Sequence, residues 1–156
     1  MSIKGLKGIE FDFWESYLNT LDLKPMSPMV TSGMAGNAKL ADELLELYLK
    51  GNKTAGSGLL RAYLIEDEDI PIVGNYWIIL DSKSNPRCIV QTVRVEINRF
   101  DEVPESVAIA EGEGDLSISY WRKVHREFFI PFLKTWGISN LDEELVVTEH
   151  FKLLYS

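Results

Sequence analysis

Cysteine and histidine are scarce in this sequence, and each scarcity excludes a class of protein. Among 156 residues there is one cysteine, Cys88, so no disulfide can form within the chain. The two histidines, His125 and His150, are too few and too isolated to build a metal site with the usual ligand spacing. We therefore expect neither a disulfide-stapled domain nor a metalloprotein, and we expect no cofactor.

Long apolar runs are also missing. No stretch approaches the roughly 20 apolar residues that a membrane-spanning helix needs. The residues from Met1 to Gly8 lack the apolar core of a signal peptide. Both observations predict a cytoplasmic protein that does not bind a membrane.

Positive charge is in deficit. The chain has 16 Lys and Arg against 24 Asp and Glu, a net charge of −8, and its isoelectric point is about 4.8. A protein that holds long nucleic acid through its phosphates needs a basic surface, and the acidic composition argues against that class. A nucleoside, a nucleotide or a short RNA remains compatible with an acidic protein.

What is present is the composition of a globular domain. Apolar residues make up 46% of the chain and charged residues 26%. At this length one domain is the ordinary expectation, because most domains hold about 100 to 200 residues. We predict a single domain over residues 1–156.

The first third of the chain carries helical patterns. Apolar residues recur at helical spacing over Phe11 to Leu21, and Pro25 and Pro28 then break the pattern. The small, Gly-containing stretch Met29 to Asn37 is predicted to be a loop. A second helix follows, with Asn37 as its cap, an apolar stripe along one face and Gly51 just past its end. The stripe consists of Leu40, Leu44, Leu47 and Tyr48.

Two polar segments and a hairpin fill the middle of the chain. Asn52 to Gly58 is predicted to be a Gly-rich loop, and the acidic run Glu66 to Asp69 a solvated turn. Ile72 to Leu80 and Cys88 to Asn98 are predicted to be strands, separated by turn residues. Strict alternation in the second strand would place its odd-numbered residues on one face: Ile89, Gln91, Val93, Val95 and Ile97.

A short helix or turn is predicted over Pro104 to Ala110. A third long helix then begins after a cap at Asp115 or Ser117 and is ended or kinked by Pro131. Its aromatic residues recur at helical spacing, which is typical of core: Trp121, Phe128, Phe129 and Trp136. Leu145 to Tyr155 is predicted to be the last strand, sharing one curved antiparallel sheet with the two earlier ones. This order of elements predicts an α+β fold and not a parallel α/β sheet.

Several motifs occur in an order that resembles a known family. They are Gly51-Asn52-Lys53-Thr54-Ala55 after a Leu-rich helix, Pro71 to Asp81, Pro86 to Val90, Phe100 to Val103, Ala110 to Asp115, and Tyr120 to Phe129. The combination is similar to ASCH-domain proteins of the longer bacterial type, over roughly residues 14 to 155. The resemblance implies a PUA-like curved antiparallel β-barrel flanked by helices, with a cleft beside it.

The resemblance also implies a link to RNA metabolism. Some ASCH proteins are proposed RNA-binding modules, some resemble ribonucleases, and some short members hydrolyse the amide of N4-acetylcytidine. In those hydrolases a lysine and a threonine after the Leu-rich helix act with a later glutamate. By motif the lysine falls on Lys53 and the glutamate on Glu111. The threonine position, three residues after the lysine, is Gly56, which is a departure from the family pattern.

The residue types fit amide hydrolysis. A desolvated lysine can act as base to a hydroxyl, and a carboxylic acid can carry the proton to the leaving amine. The sequence therefore predicts Lys53, Ser57 and Glu111 as catalytic, with Ser57 supplying the hydroxyl that Gly56 lacks. Thr54, Gly56 and Arg122 are predicted to contact the ligand.

Simpler interpretations stand beside this one. Gly51 to Lys53 is also typical of a helix end, and Glu111 to Asp115 of a solvated turn that caps the next helix. Arg122 and His125 on the third helix are interpreted as surface groups or as supports for other side chains.

Three functions remain open at this point. The first is a small hydrolase, an amidohydrolase or a ribonuclease, acting on a modified nucleoside or on RNA. The second is a non-catalytic module that binds RNA or a nucleotide. The third is a protein-interaction domain without a nucleic-acid ligand.

Overall fold

The computed structural model of the chain describes residues 5–156. Five α-helices and five β-strands follow one another, with short 3-10 turns between some of them. In chain order they are α1 Gly8–Leu18, β1 Val30–Met34, α2 Ala41–Leu49, β2 Ala55–Leu59, α3 Leu60–Ile65, β3 Tyr76–Leu80, β4 Pro86–Arg99, α4 Glu105–Glu111, α5 Ile118–Phe129 and β5 Leu145–Tyr155.

The strands form a five-stranded sheet in the order β1-β3-β4-β5-β2. The predicted strands β3, β4 and β5 are neighbours in that order. β3 pairs antiparallel with β4, and β2 pairs antiparallel with β5. β1 pairs parallel with β3, from Val30 opposite Tyr76 to Met34 opposite Leu80, which the sequence did not predict.

The chain divides into two compact units. The first contains the described residues up to 52, residues 72–93 and residues 151–156. One of its two cores surrounds Trp14, Tyr17 and Tyr76, whose rings contact one another. The other surrounds Leu45 and Tyr48 and includes Ile79 of β3 and Cys88 of β4. Burial of the Cys88 thiol raises its pKa to about 12.

The second unit contains residues 53–71 and 94–150. Its core joins α4 and α5 to the ends of the strands and includes Phe100, Val107, Trp121 and Phe129. The predicted core role of the aromatic residues on the third helix is confirmed for Trp121, Phe129 and Trp136, which are buried, while Phe128 is partly buried. Ser57, Lys53 and Glu111 all belong to this second unit.

Two predicted loops are wrong, because each contains a strand. Met29 to Asn37 includes β1, and Asn52 to Gly58 includes most of β2. Both strands are only five residues long, and β2 has the sequence Ala-Gly-Ser-Gly-Leu, which carries little intrinsic β propensity. Pairing with β3 and with β5 makes them strands, and local sequence does not reveal pairing. The helix α3 was not predicted either.

The odd-numbered residues predicted to share one face of β4 are not buried along the whole strand. Cys88, Ile89 and Val90 are all buried, whereas Val93 and Ile97 are about half exposed. The first part of the strand is therefore covered on both faces, so a single apolar face does not run along its length. β3 begins at Tyr76 and not at Ile72, because Gly74 adopts the left-handed conformation with φ of 100°.

Other boundaries agree with the predictions. Gly51 follows α2 in the left-handed conformation, with φ of 77°, as its predicted position past the helix end requires. The predicted cap is an exception: Leu40, and not Asn37, is the N-cap of α2, and the Asn37 side chain accepts from the Leu40 N–H in the turn before the helix. Ser117 caps α5 by accepting from the Tyr120 N–H, and α5 ends at Phe129, before Pro131. No helix within residues 5–156 combines the length and the apolar character that crossing a bilayer requires.

Candidate functional site

Lys53 reaches its position through the end of α2. Gly51 reverses the chain direction, and the Asn52 N–H donates to the Leu47 carbonyl, which closes the helix end. The next residue, Lys53, is only 5% exposed. The Thr54 N–H then donates to the Ala110 carbonyl at 2.7 Å, which ties this segment to α4. The side chain of Lys53 is thereby held beside the last residue of that helix.

Glu111 is that last residue of α4. It is only 2% exposed, although burying a carboxylate costs free energy. Gly112 follows in the left-handed conformation and ends the helix. A buried carboxylate requires partners, and both of its oxygens have them.

Four side chains contact the Glu111 carboxylate. Its Oε1 lies 3.1 Å from Lys53 Nζ and 3.4 Å from Nε2 of His125. Its Oε2 accepts from Ser57 Oγ at 2.7 Å and from Trp121 Nε1 at 2.5 Å. The carboxylate is the centre of the cluster, with a cation on one oxygen and a hydroxyl on the other.

Lys53 has further acceptors. Its ammonium donates to Glu113 Oε2 at 2.9 Å and to the Glu111 carbonyl at 3.3 Å. Two carboxylates therefore surround one buried ammonium, and such a pair is tolerated in a protein interior only when it is hydrogen-bonded in this way.

The electrostatics of Glu111 follow from these contacts. Burial by itself raises the pKa of a carboxyl, because it disfavours the charged form. Here the hydrogen bond and charge of His125, the charge of Lys53 and the hydrogen bond from Trp121 outweigh burial and hold the pKa of Glu111 well below its usual range. Glu111 is consequently a carboxylate at neutral pH.

Ser57 enters the cluster from β2. Side chains alternate along a strand, so Ser57 lies on one face and Gly56 on the other. Ser57 pairs with Thr148 of β5, and the two hydroxyl oxygens are 2.8 Å apart. Thr148 is fully buried and Ser57 is partly exposed. The serine hydroxyl is thus fixed between a carboxylate and a buried threonine.

A recess adjoins the cluster. Glu111, Glu113, Tyr120, Trp121 and His125 line it, together with Ala108, Ser117 and Val124. The recess is small: the centres of water-sized spheres reach about 10 Å³ of it, roughly the room for one water molecule. A ligand as large as a nucleoside would lie largely outside it and place only a small group in it.

The structure brings together the three residues predicted as catalytic. Lys53 and Ser57 both lie against Glu111, as the distances show. Their assignment as catalytic residues stays a prediction. These residues are far apart in the sequence. They meet because the start of β2 lies beside the end of α4 in the second unit.

The three residues predicted to contact ligand lie differently. The Thr54 hydroxyl donates to the Ala110 carbonyl at 3.3 Å, which is a structural contact. Gly56 pairs with Glu149 on β5. The Arg122 guanidinium donates to the carbonyls of Asp101 and Val103, so it braces the turn that leads into α4. Their ligand-binding roles remain predictions without a contact that favours them.

Sequence reasoning missed several members of the cluster. His125 was interpreted as a surface group or a support, and Trp121 only as core; Glu113 and Thr148 were not proposed. Trp121 and His125 are four residues apart, so one helix face carries both. That spacing was the available signal for His125. Thr148 had no local signal, because its contact with Ser57 depends on strand register.

No group of three or more His, Cys, Asp or Glu side chains suited to a metal ion occurs within residues 5–156. The cluster around Glu111 contains one histidine, two carboxylates and a lysine. Its lysine ammonium occupies the space beside the two carboxylates in which a cation would bind.

Comparison with known proteins identifies the family to which this fold belongs. The sequence profile of the ASCH domain family matches residues 31–155. The chain belongs to the ASCH domain family. Comparison with curated proteins gave no match.

Two solved structures are similar to this chain. A high-resolution crystal structure of an ASCH domain from Lactobacillus crispatus JV V101 has a TM-score of 0.89 and 27% identity, and each chain is covered completely. A crystal structure of a protein from Enterococcus faecalis V583 has a TM-score of 0.79 and 32% identity, covering 93% of this chain and 87% of its own.

These likenesses confirm the predicted fold class, α+β with the curved sheet and flanking helices of ASCH domains. The single domain over residues 1–156 and the cytoplasmic location stay predictions.

Proposed function

We propose that this protein is a small hydrolase that cleaves the amide of an acylated nucleoside, of the N4-acetylcytidine type. One observation carries the proposal: the hydroxyl of Ser57, the carboxylate of Glu111 and the ammonium of Lys53 meet in one cluster. These are the three kinds of group that amide hydrolysis in this family is implied to use.

The contacts favour particular roles. Ser57 Oγ lies 2.7 Å from Glu111 Oε2, a distance at which a carboxylate can take the proton of an attacking hydroxyl. The Lys53 ammonium is held as a cation by Glu111 and Glu113 and can stabilise negative charge on the reacting carbonyl oxygen. The sequence predicts Lys53 as the base; the contacts of its ammonium favour the cationic role.

The substrate class rests on size and charge. The recess is small, so a substrate would place only a small group in it, such as an acyl amide. Tyr120 lines it and is 37% exposed, so its ring offers an aromatic surface against which a planar base can pack. The net charge of −8 disfavours a polyanionic substrate, so a ribonuclease activity is the weaker alternative.

A non-catalytic nucleotide-binding module is the second candidate. The departure at Gly56, the family's threonine position, favours it, because the hydroxyl is then supplied only by a neighbouring residue. No contact described above favours a protein-interaction domain.

The test is a panel of acylated nucleosides incubated with the protein and analysed by chromatography for the deacylated nucleoside and the released acid. We expect turnover of at least one acylated cytidine. Ser57→Ala, Glu111→Gln and Lys53→Ala should each lower it by about a hundredfold or more. Matched controls at exposed positions nearby are Ser106→Ala, Glu105→Gln and Lys50→Ala, which should retain the wild-type rate.

Two further variants sharpen the assignment. Lys53→Arg cannot act as a base, so retained activity in a folded variant would establish the cationic role. Ser57→Ala combined with Gly56→Thr moves the hydroxyl one residue along β2, to the opposite face of the strand. We expect it to be as inactive as Ser57→Ala alone. An inert wild type that still binds a nucleoside by calorimetry would instead support the binding module.

A further inference from the structure

His125 lies on α5, one turn after Trp121, and its ring is held in one orientation. The imidazole stacks on the Trp121 indole, with centroids 4.0 Å apart and an angle of 17° between the planes. Its Nδ1 lies 2.8 Å from the Trp121 carbonyl oxygen. A carbonyl can only accept a hydrogen bond, so Nδ1 must carry the hydrogen. The nitrogen that gains and loses a proton is therefore Nε2.

Nε2 faces the cluster. It lies 3.4 Å from Glu111 Oε1, and the His125 side chain lines the recess together with Glu111 and Glu113. The His125 side chain is 13% exposed, against 3% for Glu111 and 4% for Lys53. Of these three ionisable groups, His125 is the most open to a molecule in the recess.

We propose that His125 is the proton-transferring residue of this site: it receives through Glu111 the proton that Ser57 releases and delivers it to the leaving amine in the recess. The inference rests on the proposed hydrolysis and extends it to a residue outside the predicted catalytic set. The Glu111 carboxylate connects donor and acceptor, because Ser57 contacts one of its oxygens and His125 the other.

The proposed reaction has two stages. Ser57 Oγ bonds to the acyl carbon while its proton passes to Glu111 and on to His125 Nε2. The C–N bond then breaks, the exocyclic amine takes the proton from Nε2–H, and the acyl group remains on serine as an ester. Water attacks the ester in the same way, giving the carboxylic acid and restoring the serine hydroxyl.

The chemistry of Glu111 explains the need for such a residue. Its carboxylate already accepts hydrogen bonds from Lys53 and Trp121, which a proton held on it would disturb, so it is a poor final acceptor. Histidine exchanges protons in the range of roughly pH 5 to 8 and suits this task. The charged or titratable groups around it come from several elements: Lys53 before β2, Glu111 at the end of α4, Glu113 in the loop that follows and Tyr120 on α5.

The first experiment compares His125→Gln with His150→Gln on the best acylated nucleoside. Glutamine offers an amide N–H near Glu111 but cannot transfer a proton. His150 is the chain's second histidine, its side chain is also 13% exposed, and it contacts Arg94 on the sheet. We expect His125→Gln to lose about a hundredfold or more in kcat and one limb of the pH–rate profile, with its thermal midpoint largely retained. His150→Gln should keep both limbs.

A folded His125→Gln variant with both limbs and a rate within a few-fold of wild type would overturn the proposal. A second measurement works without turnover: ¹⁵N NMR of the imidazole nitrogens at a pH where the ring is neutral. We expect the hydrogen on Nδ1, and a hydrogen on Nε2 would overturn the relay. A wild-type protein that is inert towards every acylated nucleoside would contradict the proposed hydrolysis. The NMR result identifies the proton-accepting nitrogen of His125 independently of that outcome.

Discussion

At the scale of single residues, the site depends on one buried carboxylate. Glu111 has four side-chain partners, and removing its charge affects each of them. Lys53 would lose one of its two carboxylates and keep Glu113. A buried cation left with fewer acceptors is costly, so this residue contributes to stability as well as to the proposed chemistry.

The ionisation of Glu111 should make the stability of the protein depend on pH. The folded protein holds the pKa of Glu111 below its ordinary value of 4.5. Stability from this group is therefore fully present above about pH 4.5 and is lost as the pH falls below it. At pH 7 we expect Glu111→Gln to lower the free energy of unfolding by about 3 kcal/mol. Urea denaturation at pH 7, 4 and 3 should show that difference shrinking as the pH falls.

The control for that series is Glu105→Gln, an exposed position on the same helix. It should unfold like wild type at every pH. A difference between wild type and Glu111→Gln that stays constant from pH 7 to pH 3 would contradict the assigned ionisation.

At the scale of elements, three left-handed glycines lie next to the site: Gly51, Gly112 and Gly114. Gly51 and Gly114 differ in their surroundings. Gly51 ends α2, with φ of 77°, and a Cβ there would meet nothing within 4 Å. Gly114 lies between α4 and α5, with φ of 60°, and a Cβ there would lie 2.4 Å from the Tyr120 ring. At both positions the positive φ disfavours a residue that has a Cβ. Only at Gly114 would that Cβ also collide with a side chain that lines the recess.

We therefore predict different consequences for two alanine variants. Gly51→Ala and Gly114→Ala should each cost about 1 kcal/mol of stability, because alanine disfavours a positive φ. Gly114→Ala should in addition displace the partly exposed ring of Tyr120 and change kcat/KM or ligand affinity by several-fold. Thermal unfolding and the nucleoside assay measure the two effects. Equal activity in both variants would show that the position of Tyr120 does not matter to the site.

At the scale of the whole molecule, charge decides which ligands are plausible. The chain carries 24 acidic residues against 16 basic ones. Several of the arginines are engaged locally: Arg61 with Glu144, Arg94 with Glu96 and Arg99 with Asp101. Exposed pairs of this kind stabilise little, but they leave fewer positive charges to meet phosphates.

We accordingly predict weak binding to RNA. A single-stranded RNA longer than about 16 nucleotides should bind with little affinity and little dependence on salt, because few counterions would be released. Fluorescence anisotropy with a labelled RNA at low and moderate salt tests this, with a free acylated nucleoside as competitor. Tight binding that weakens steeply as salt rises would contradict it and favour the RNA-binding alternative.

Most of the elements could be predicted from the sequence because their signals are local. Apolar periodicity, Pro131 and the glycine after α2 mark helices, and β-branched runs mark β3, β4 and β5. The strands β1 and β2 could not be predicted in this way. They are short and rich in small residues, and they are ordered by strands distant in sequence.

The sequence by itself determined the chemical inventory of this protein: an acidic α+β chain of the ASCH type carrying Lys53, Ser57 and Glu111. The tertiary structure decided how that inventory is arranged. Strand register aimed Ser57 at Glu111 and placed Thr148 beside it, and helix packing turned His125 towards the same carboxylate. Those contacts join residues up to 91 positions apart. No local pattern encodes them, because pairing and packing are set by the whole fold at once.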